Sequence, residues 1–197
     1  IYKKINAFKV KTFSSIVSSN DVFGFDQRVA NSYKRIKPKF ELEHFGGAIK
    51  FYYNGWRSKG VGYIHPNEIR KNKNWVNRCK IYIPKAWGTG NSKTDKLNIF
   101  IDTEKSCCTE TYLIVGPFEN NDFAENVKHY MQTKFFLFLV ALAKNTQNTM
   151  KKAYQLVPMQ DFSEKWTDEK LYKKYNLTDE EIAYIDSMIR PMEIVSE

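Results

Sequence analysis

Apolar and polar residues alternate over short stretches in the first part of the chain, which predicts strands and turns there. Five segments follow this pattern: residues 49–53, 61–64, 78–83, 97–101 and 111–115. Asn54-Gly55 separates the first two segments and is a strong signal for a β-hairpin. Residues 78–83 read as a half-buried strand, and Pro66 suits the first turn of a short helix over residues 66–70.

Beyond about residue 119 the apolar residues recur every three or four positions, which predicts helices. Asp122 and Glu125 predict a capping box that opens a long helix running to about Lys144. The apolar face of this helix would consist of Val127, Tyr130, Met131, Phe135, Phe138, Leu139 and Leu142.

Two further helices are predicted near the end of the chain. Thr167 is placed to cap a short helix through Tyr175. Thr178 and Glu181 form a second capping box, and Pro191 would end the helix that it opens. The sequence therefore predicts an α+β fold, with a mixed β-sheet region over residues 1–118 followed by a helical region over residues 119–197.

Composition and charge refine this prediction. With 197 residues, 42% of them hydrophobic, the chain can build the core of one domain. The net charge of +9 is unevenly distributed. Residues 1–118 hold 21 Lys and Arg against 9 Asp and Glu, a net of +12, whereas residues 119–197 hold 10 against 13, a net of −3. A basic region of this kind indicates a polyanionic partner.

Several classes of protein are disfavoured. The longest apolar run, residues 135–143, is about half the length needed to cross a bilayer, so no membrane partner is expected. The first residues lack the apolar segment of a signal peptide. Cys79, Cys107 and Cys108 have no metal-binding spacing and are expected to be reduced thiols, which together with the missing signal peptide predicts a cytoplasmic protein.

Three blocks of sequence carry a family resemblance. The first is FSSIVSSNDVFGF at residues 13–25, and the second is WVNRCKIYIPKAWG at residues 75–88. The third runs from TYLIVGPFE at residues 111–119 through a long apolar helix to a Val-Pro edge, a Trp-containing link and a capped last helix. In this order they resemble the target-recognition domain of bacterial restriction–modification enzymes that carry an adenine-specific DNA methyltransferase.

The resemblance implies a sequence-specific reader of double-stranded DNA. The methyltransferase and endonuclease modules that this reader positions would lie elsewhere in the parent enzyme, as would the binding sites for S-adenosylmethionine and Mg²⁺. The segment itself is then expected to bind no cofactor or metal and to catalyse no reaction. By the same resemblance, loops of the mixed sheet enter the DNA groove and the helical region supports them.

Lysines and arginines bind phosphates, and forked or planar side chains read base edges. The predicted DNA-binding residues are Trp56, Arg57, Lys59, Lys71, Lys73, Asn74, Lys85, Trp87, Lys93, Lys105 and Lys134. Arg57 suits guanine, and Asn72 or Asn74 suits adenine. The two tryptophans are compatible either with a core position or with stacking on an unpaired base. Lys134 fits a phosphate contact or a side chain that runs along the surface.

The motifs of catalysis are weak or absent from the sequence. It has no Pro-Pro pair of the kind that adenine methyltransferases use, and no phosphate-binding glycine loop. Asp102 and Glu104 nearly match the carboxylate pair of a small metal-dependent endonuclease, which is the alternative function. A specificity subunit of the type I systems would need a long coiled coil, and a common single-strand RNA reader would need a paired aromatic strand motif. Neither is visible.

Overall fold

The computed structural model describes residues 1–25, 40–86, 97–143 and 150–189. These residues contain seven strands: β1 (Phe40–Glu41), β2 (Ile49–Tyr52), β3 (Gly62–Ile64), β4 (Cys79–Pro84), β5 (Phe100–Asp102), β6 (Ser106–Cys108) and β7 (Tyr112–Phe118). They also contain six α-helices: α1 (Tyr2–Asn6), α2 (Trp56–Lys59), α3 (Asn121–Met131), α4 (Lys134–Ala143), α5 (Asp168–Lys174) and α6 (Asp179–Met188). The predicted α+β class, with helices toward the end of the chain, is confirmed.

The first sheet has the strand order β1-β3-β2-β6. The β2–β3 pair is antiparallel, with Ile49 opposite Ile64, so the predicted hairpin is confirmed. The connection between β2 and β3 contains the one-turn helix α2. Gly55 precedes this helix at a φ of +93°, a conformation that glycine adopts without steric cost. Gly62 permits close packing, because a Cβ there would lie 2.7 Å from Cδ2 of Phe40.

The second sheet has the order β5-β4-β7, with β4 antiparallel to both neighbours. The prediction that β4 is half-buried is wrong, because five of its six residues are buried. The side chains of Ile81 and Ile83 pack with the helices, whereas Tyr82 packs with the first sheet. Both faces of β4 are therefore buried, one against the helices and the other against the first sheet.

The predicted single helix from Asp122 to Lys144 is two helices. Asn120, not Asp122, caps α3, because its side-chain oxygen accepts a hydrogen bond from the Phe123 amide at 2.8 Å. The chain leaves helical geometry at Thr133, whose hydroxyl accepts a hydrogen bond from the Phe136 amide at 3.1 Å and so caps α4.

A second contact stabilises the start of α4. The carboxylate of Asp168 accepts hydrogen bonds from the amides of Lys134 at 3.0 Å and Phe135 at 2.9 Å. These amides belong to the first turn of the helix, where backbone donors lack partners within the helix. Asp168 is itself the first residue of α5, so the start of one helix is satisfied by the start of another.

The last two helices follow the predicted capping pattern. Thr167 caps α5, and Thr178 with Glu181 forms a complete capping box at α6, so both predictions are confirmed. Helix α6 ends at Met188, and the predicted terminator Pro191 lies outside the described residues.

The second sheet and the helices share one apolar core. Leu113 from β7 and Phe136 from α4 belong to the same buried cluster, as does Phe13 near the start of the chain. The Phe13 amide also donates a hydrogen bond to the Val157 carbonyl at 2.7 Å. Residues on both sides of position 118 therefore build a common core. Leu142, which was predicted to lie on its apolar face, is instead 49% exposed.

No helix among the described residues is long and apolar enough to cross a membrane. The three cysteines are buried and form no disulfide, as predicted.

Candidate nucleic-acid interface

Trp56 begins helix α2 and is held by hydrogen bonding and by packing. Its indole Nε1 donates a hydrogen bond to the Tyr112 hydroxyl at 2.7 Å. Its ring lies 4.9 Å from that of Tyr52 and 5.4 Å from that of Phe100, measured between centroids. Of the two positions predicted for Trp56, the structure therefore favours the packed one, although the side chain stays partly exposed.

Arg57 is exposed beside this tryptophan. Its guanidinium carbon lies 4.9 Å from the Trp56 ring centroid and 5.6 Å from that of Phe100. Cation–π contacts of this kind hold the guanidinium against a rigid support. Among the described residues Arg57 forms no ion pair with an acidic side chain, and its guanidinium also interacts with the Tyr112 hydroxyl.

Two predicted lysines lie at the same end of the sheets. Lys59 ends α2 and is exposed. Lys85 follows β4, and its amide donates a hydrogen bond to the Thr111 carbonyl at 2.9 Å, next to Tyr112. Partial burial lowers the pKa of Lys85, against the opposing effect of Glu110. We call Trp56, Arg57, Lys59 and Lys85 the tryptophan end of the molecule.

The predicted residues of the β3–β4 connection are arranged differently. Lys71 forms an ion pair with Asp21 at 2.7 Å. Asn72 has a φ of +51°, and its side-chain amide donates a hydrogen bond to the Val22 carbonyl at 2.8 Å, so that donor holds the loop in place. Lys73 and Asn74 are exposed in the short 3-10 turn that follows.

The other predicted residues lie elsewhere. Lys105 precedes β6, at the opposite end of the first sheet from Trp56, and lines an open cavity. Lys134 forms an ion pair with Asp186 in the helical region, so it pairs within the protein. Trp87 and Lys93 lie outside the described residues. The structure thus brings together four of the eleven predicted residues at the tryptophan end.

The carboxylates of the alternative endonuclease have partners within the protein. Asp102 is buried, and its two oxygens accept hydrogen bonds from the Tyr52 hydroxyl at 2.6 Å and from the Glu104 amide at 2.8 Å. Glu104 forms an ion pair with Lys50 at 2.7 Å. In the part of the chain that the structure describes, no three His, Cys, Asp or Glu side chains are arranged to hold a metal ion.

Lys80 is a buried cation that the sequence pattern placed on the wrong face. Its ammonium donates hydrogen bonds to the carbonyls of Val76 at 2.9 Å and Arg78 at 2.7 Å. Asp102 is its cross-strand partner on β5. Burial lowers the pKa of Lys80 to about 8, and the charge of Asp102 opposes this effect. The side chain is fully buried, so Lys80 supports the sheet and contacts no external partner.

The cavity beside Lys105 has a volume of about 650 Å³. Its lining consists of His44, Ala48, Lys50, Tyr63, Asn77, Thr103, Glu104 and Lys105. Sequence reasoning selected only Lys105 and Glu104 from this set, and for different roles. The other residues come from strands and loops that are distant in sequence and adjacent only in the folded sheet.

The chain has no match among protein-family models and none among curated proteins.

Proposed function

We propose that this protein is a sequence-specific double-stranded DNA recognition domain, of the type found in restriction–modification enzymes with an adenine-specific methyltransferase. In this proposal its parent enzyme acts in the cytoplasm. Methyltransferase and endonuclease modules elsewhere in that enzyme bind S-adenosylmethionine and Mg²⁺ and perform the chemistry. The domain selects the DNA sequence on which they act.

The observation that carries the proposal is the position of Arg57. A forked guanidinium can form two hydrogen bonds with the O6 and N7 atoms of guanine in the major groove. Because the guanidinium lies on Trp56 and Phe100, it loses less conformational freedom on binding than an unsupported arginine would. Its exposure on a one-turn helix makes it accessible to a groove.

Nearby cations are suited to phosphates. Lys59 lies in the same short helix as Arg57, and Lys85 lies at the same end of the second sheet. Lys73 adds an exposed cation on the β3–β4 connection. Contacts of this kind supply affinity and make it salt-dependent, whereas Arg57 supplies base discrimination. The net charge of +12 over residues 1–118 favours the same partner.

Selection of bound duplexes from a random-sequence DNA library, at two salt concentrations, tests the proposal. The wild-type protein is expected to enrich a short motif and to lose affinity steeply as salt rises. Arg57→Lys keeps the charge and removes the fork, so it is expected to keep salt-sensitive binding and lose enrichment at one G·C position. Lys173→Ala, which removes an exposed cation from α5, is the matched control and should leave both properties unchanged.

Failure to retain any duplex at low salt would refute the proposal. Retention of duplexes without enrichment of a motif would indicate nonspecific DNA binding and not sequence recognition. The endonuclease alternative makes a separate prediction, namely Mg²⁺-dependent cleavage that the double substitution Asp102→Asn and Glu104→Gln abolishes. In the DNA-recognition proposal the purified domain cleaves nothing.

A further inference from the structure

We propose that the cavity beside Lys105 binds a nucleoside phosphate, either as a free nucleotide or as the end of a nucleic acid strand. The cavity lies at the opposite end of β2 from the tryptophan end and shares no residue with it. Its volume of about 650 Å³ falls within the range of about 300–1,000 Å³ typical of small-molecule sites.

The register of the first sheet builds the floor of the cavity. Lys50 on β2 is the cross-strand partner of Tyr63 on β3 and of Ser106 on β6. Directly opposed residues in an antiparallel pair project from the same face of the sheet. The Lys50 ammonium and the Tyr63 ring therefore lie side by side, which places a cation next to an aromatic surface.

The loop before β2 forms one wall and has a fixed shape. The His44 ring packs edge-on against Tyr63 at a centroid separation of 5.1 Å. The adjacent Phe45 ring lies parallel to that of His65, at 6.5 Å. The Ala48 amide closes the loop by donating a hydrogen bond to the Phe45 carbonyl at 3.1 Å. Of these rings, those of His44 and Tyr63 line the cavity and form the side on which a base could stack.

The opposite wall supplies the charge. Residues 103–105 connect β5 to β6, and both Glu104 and Lys105 line the cavity. Glu104 holds Lys50 at 2.7 Å and, through this hydrogen bond, raises the pKa of that lysine, which keeps it a cation. Lys105 is exposed and forms no ion pair with a described residue, so its ammonium is available to a phosphate.

The combination of groups selects the ligand class. Lysine ammonium groups bind phosphate oxygens, and the amide of Asn77 and the hydroxyl of Thr103 add neutral donors. Glu104 accepts hydrogen bonds, as a sugar hydroxyl or a base amino group requires. An inorganic anion would use only the cations and leave the aromatic wall without a partner. A nucleoside phosphate would use the cations, the hydrogen-bonding groups and the aromatic wall.

Isothermal titration calorimetry with nucleoside 5′-monophosphates, inorganic phosphate and a short 5′-phosphorylated single strand tests this proposal. Removal of a charge-assisted phosphate contact by Lys105→Ala is expected to raise the nucleotide Kd about tenfold. His44→Ala, at an exposed position on the aromatic wall, is expected to raise it about threefold. Lys173→Ala removes the same charge from an exposed position on α5 and should leave the nucleotide Kd unchanged.

The outcomes separate this proposal from DNA recognition by Arg57. Arg57→Lys should alter duplex selection and leave nucleotide binding intact, whereas Lys105→Ala should do the reverse. Binding of the phosphorylated strand but not of the free nucleotide, with the same sensitivity to Lys105→Ala, would support a strand end as the ligand. The proposal is refuted if no nucleotide or strand binds at about 1 mM. Equal affinity for inorganic phosphate, or a Kd unchanged in Lys105→Ala, would also overturn it.

Discussion

Trp56 and Tyr112 join the two sheets through one hydrogen bond, from the indole Nε1 to the phenolic oxygen at 2.7 Å. Trp56 follows β2 of the first sheet, and Tyr112 begins β7 of the second. The bond fixes the indole ring over which the Arg57 guanidinium lies. The position of the predicted base-reading side chain therefore depends on a contact between the sheets.

Tyr112→Phe is expected to weaken sequence selection more than it weakens folding. The substitution keeps the ring and removes the only atom that accepts the indole hydrogen, which costs about 1 kcal/mol in unfolding free energy. With the indole less constrained, Arg57 should lose discrimination in the duplex-library selection. Tyr184→Phe removes a hydroxyl from an exposed ring on α6 and should change neither property. Unaltered selection by Tyr112→Phe would show that Arg57 needs no fixed support.

Asp168→Ala should destabilise the protein, because it removes the contact between the starts of α4 and α5. It removes the acceptor for two amides at the start of α4, at a cost of about 2–3 kcal/mol in unfolding free energy. Urea unfolding measures the change. Asp179→Ala is the matched control, because Asp179 is likewise the first residue of a helix capped by threonine but is exposed and contacts no other helix start. Equal losses in the two variants would contradict the role assigned to Asp168.

Glu181 gives stability a specific dependence on acid pH. Hydrogen bonds from Lys4 at 2.6 Å and from the Thr178 amide at 2.9 Å lower the pKa of Glu181 from 4.5 to about 2. A carboxyl group with a lowered folded-state pKa stabilises the fold above pH 4.5, and this contribution is lost as the pH falls from 4.5 to about 2.

Glu181→Gln should therefore remove part of the acid-induced loss of stability in that range, when thermal midpoints are measured against pH. Glu180→Gln changes the neighbouring exposed carboxylate, which pairs with no described residue, and should leave the acid profile as it is. Identical profiles for the two variants would contradict the assignment to Glu181.

Lys80 should also make the protein more stable as the pH rises, but at alkaline pH. Its folded-state pKa of about 8 lies below the ordinary value of 10.5, so the ammonium form carries a penalty in the folded state. That penalty is fully present below pH 8 and is relieved as the pH rises to 10.5.

The difference in unfolding free energy between wild type and Lys80→Met should therefore change by about 3 kcal/mol, in favour of wild type, from pH 8 to 10.5. Groups that do not interact with Lys80 cancel in this difference, and any pH-independent effect of the substitution is a constant offset. Lys73→Met, at an exposed position, should show a constant difference. A constant difference for Lys80→Met would mean that Lys80 titrates normally.

Local signals in the sequence predicted local structure well. The Asn54-Gly55 hairpin and the capping box at Thr178 each depend on residues within a few positions of one another. The break between α3 and α4 was missed in part because Asp168, 34 positions from Lys134, supplies the acceptor for two of the first amides of α4. The burial of β4 was also misjudged. Alternation of residue types along a strand does not show whether its second face contacts solvent or another core.

The candidate sites show the same difference between local sequence signals and contacts between residues that are distant in sequence. Arg57 and Lys59 were identified because they are cations close to the predicted hairpin turn, and the structure places them in one short helix. The cavity residues Lys50 and Tyr63 were not identified, because only strand register makes them neighbours. In the sequence, Lys50 and Tyr63 are residues of two predicted strands, and nothing near them indicates a binding site.

Strand β2 also acts as a spacer between two contact points. Lys50 faces the cavity near its beginning, and the chain enters the Trp56 helix soon after its last residue, Tyr52. Four residues at about 3.3 Å each span about 13 Å, close to four base-pair steps of B-form DNA. A nucleic acid touching both ends would have the interval between its contacts set by strand length.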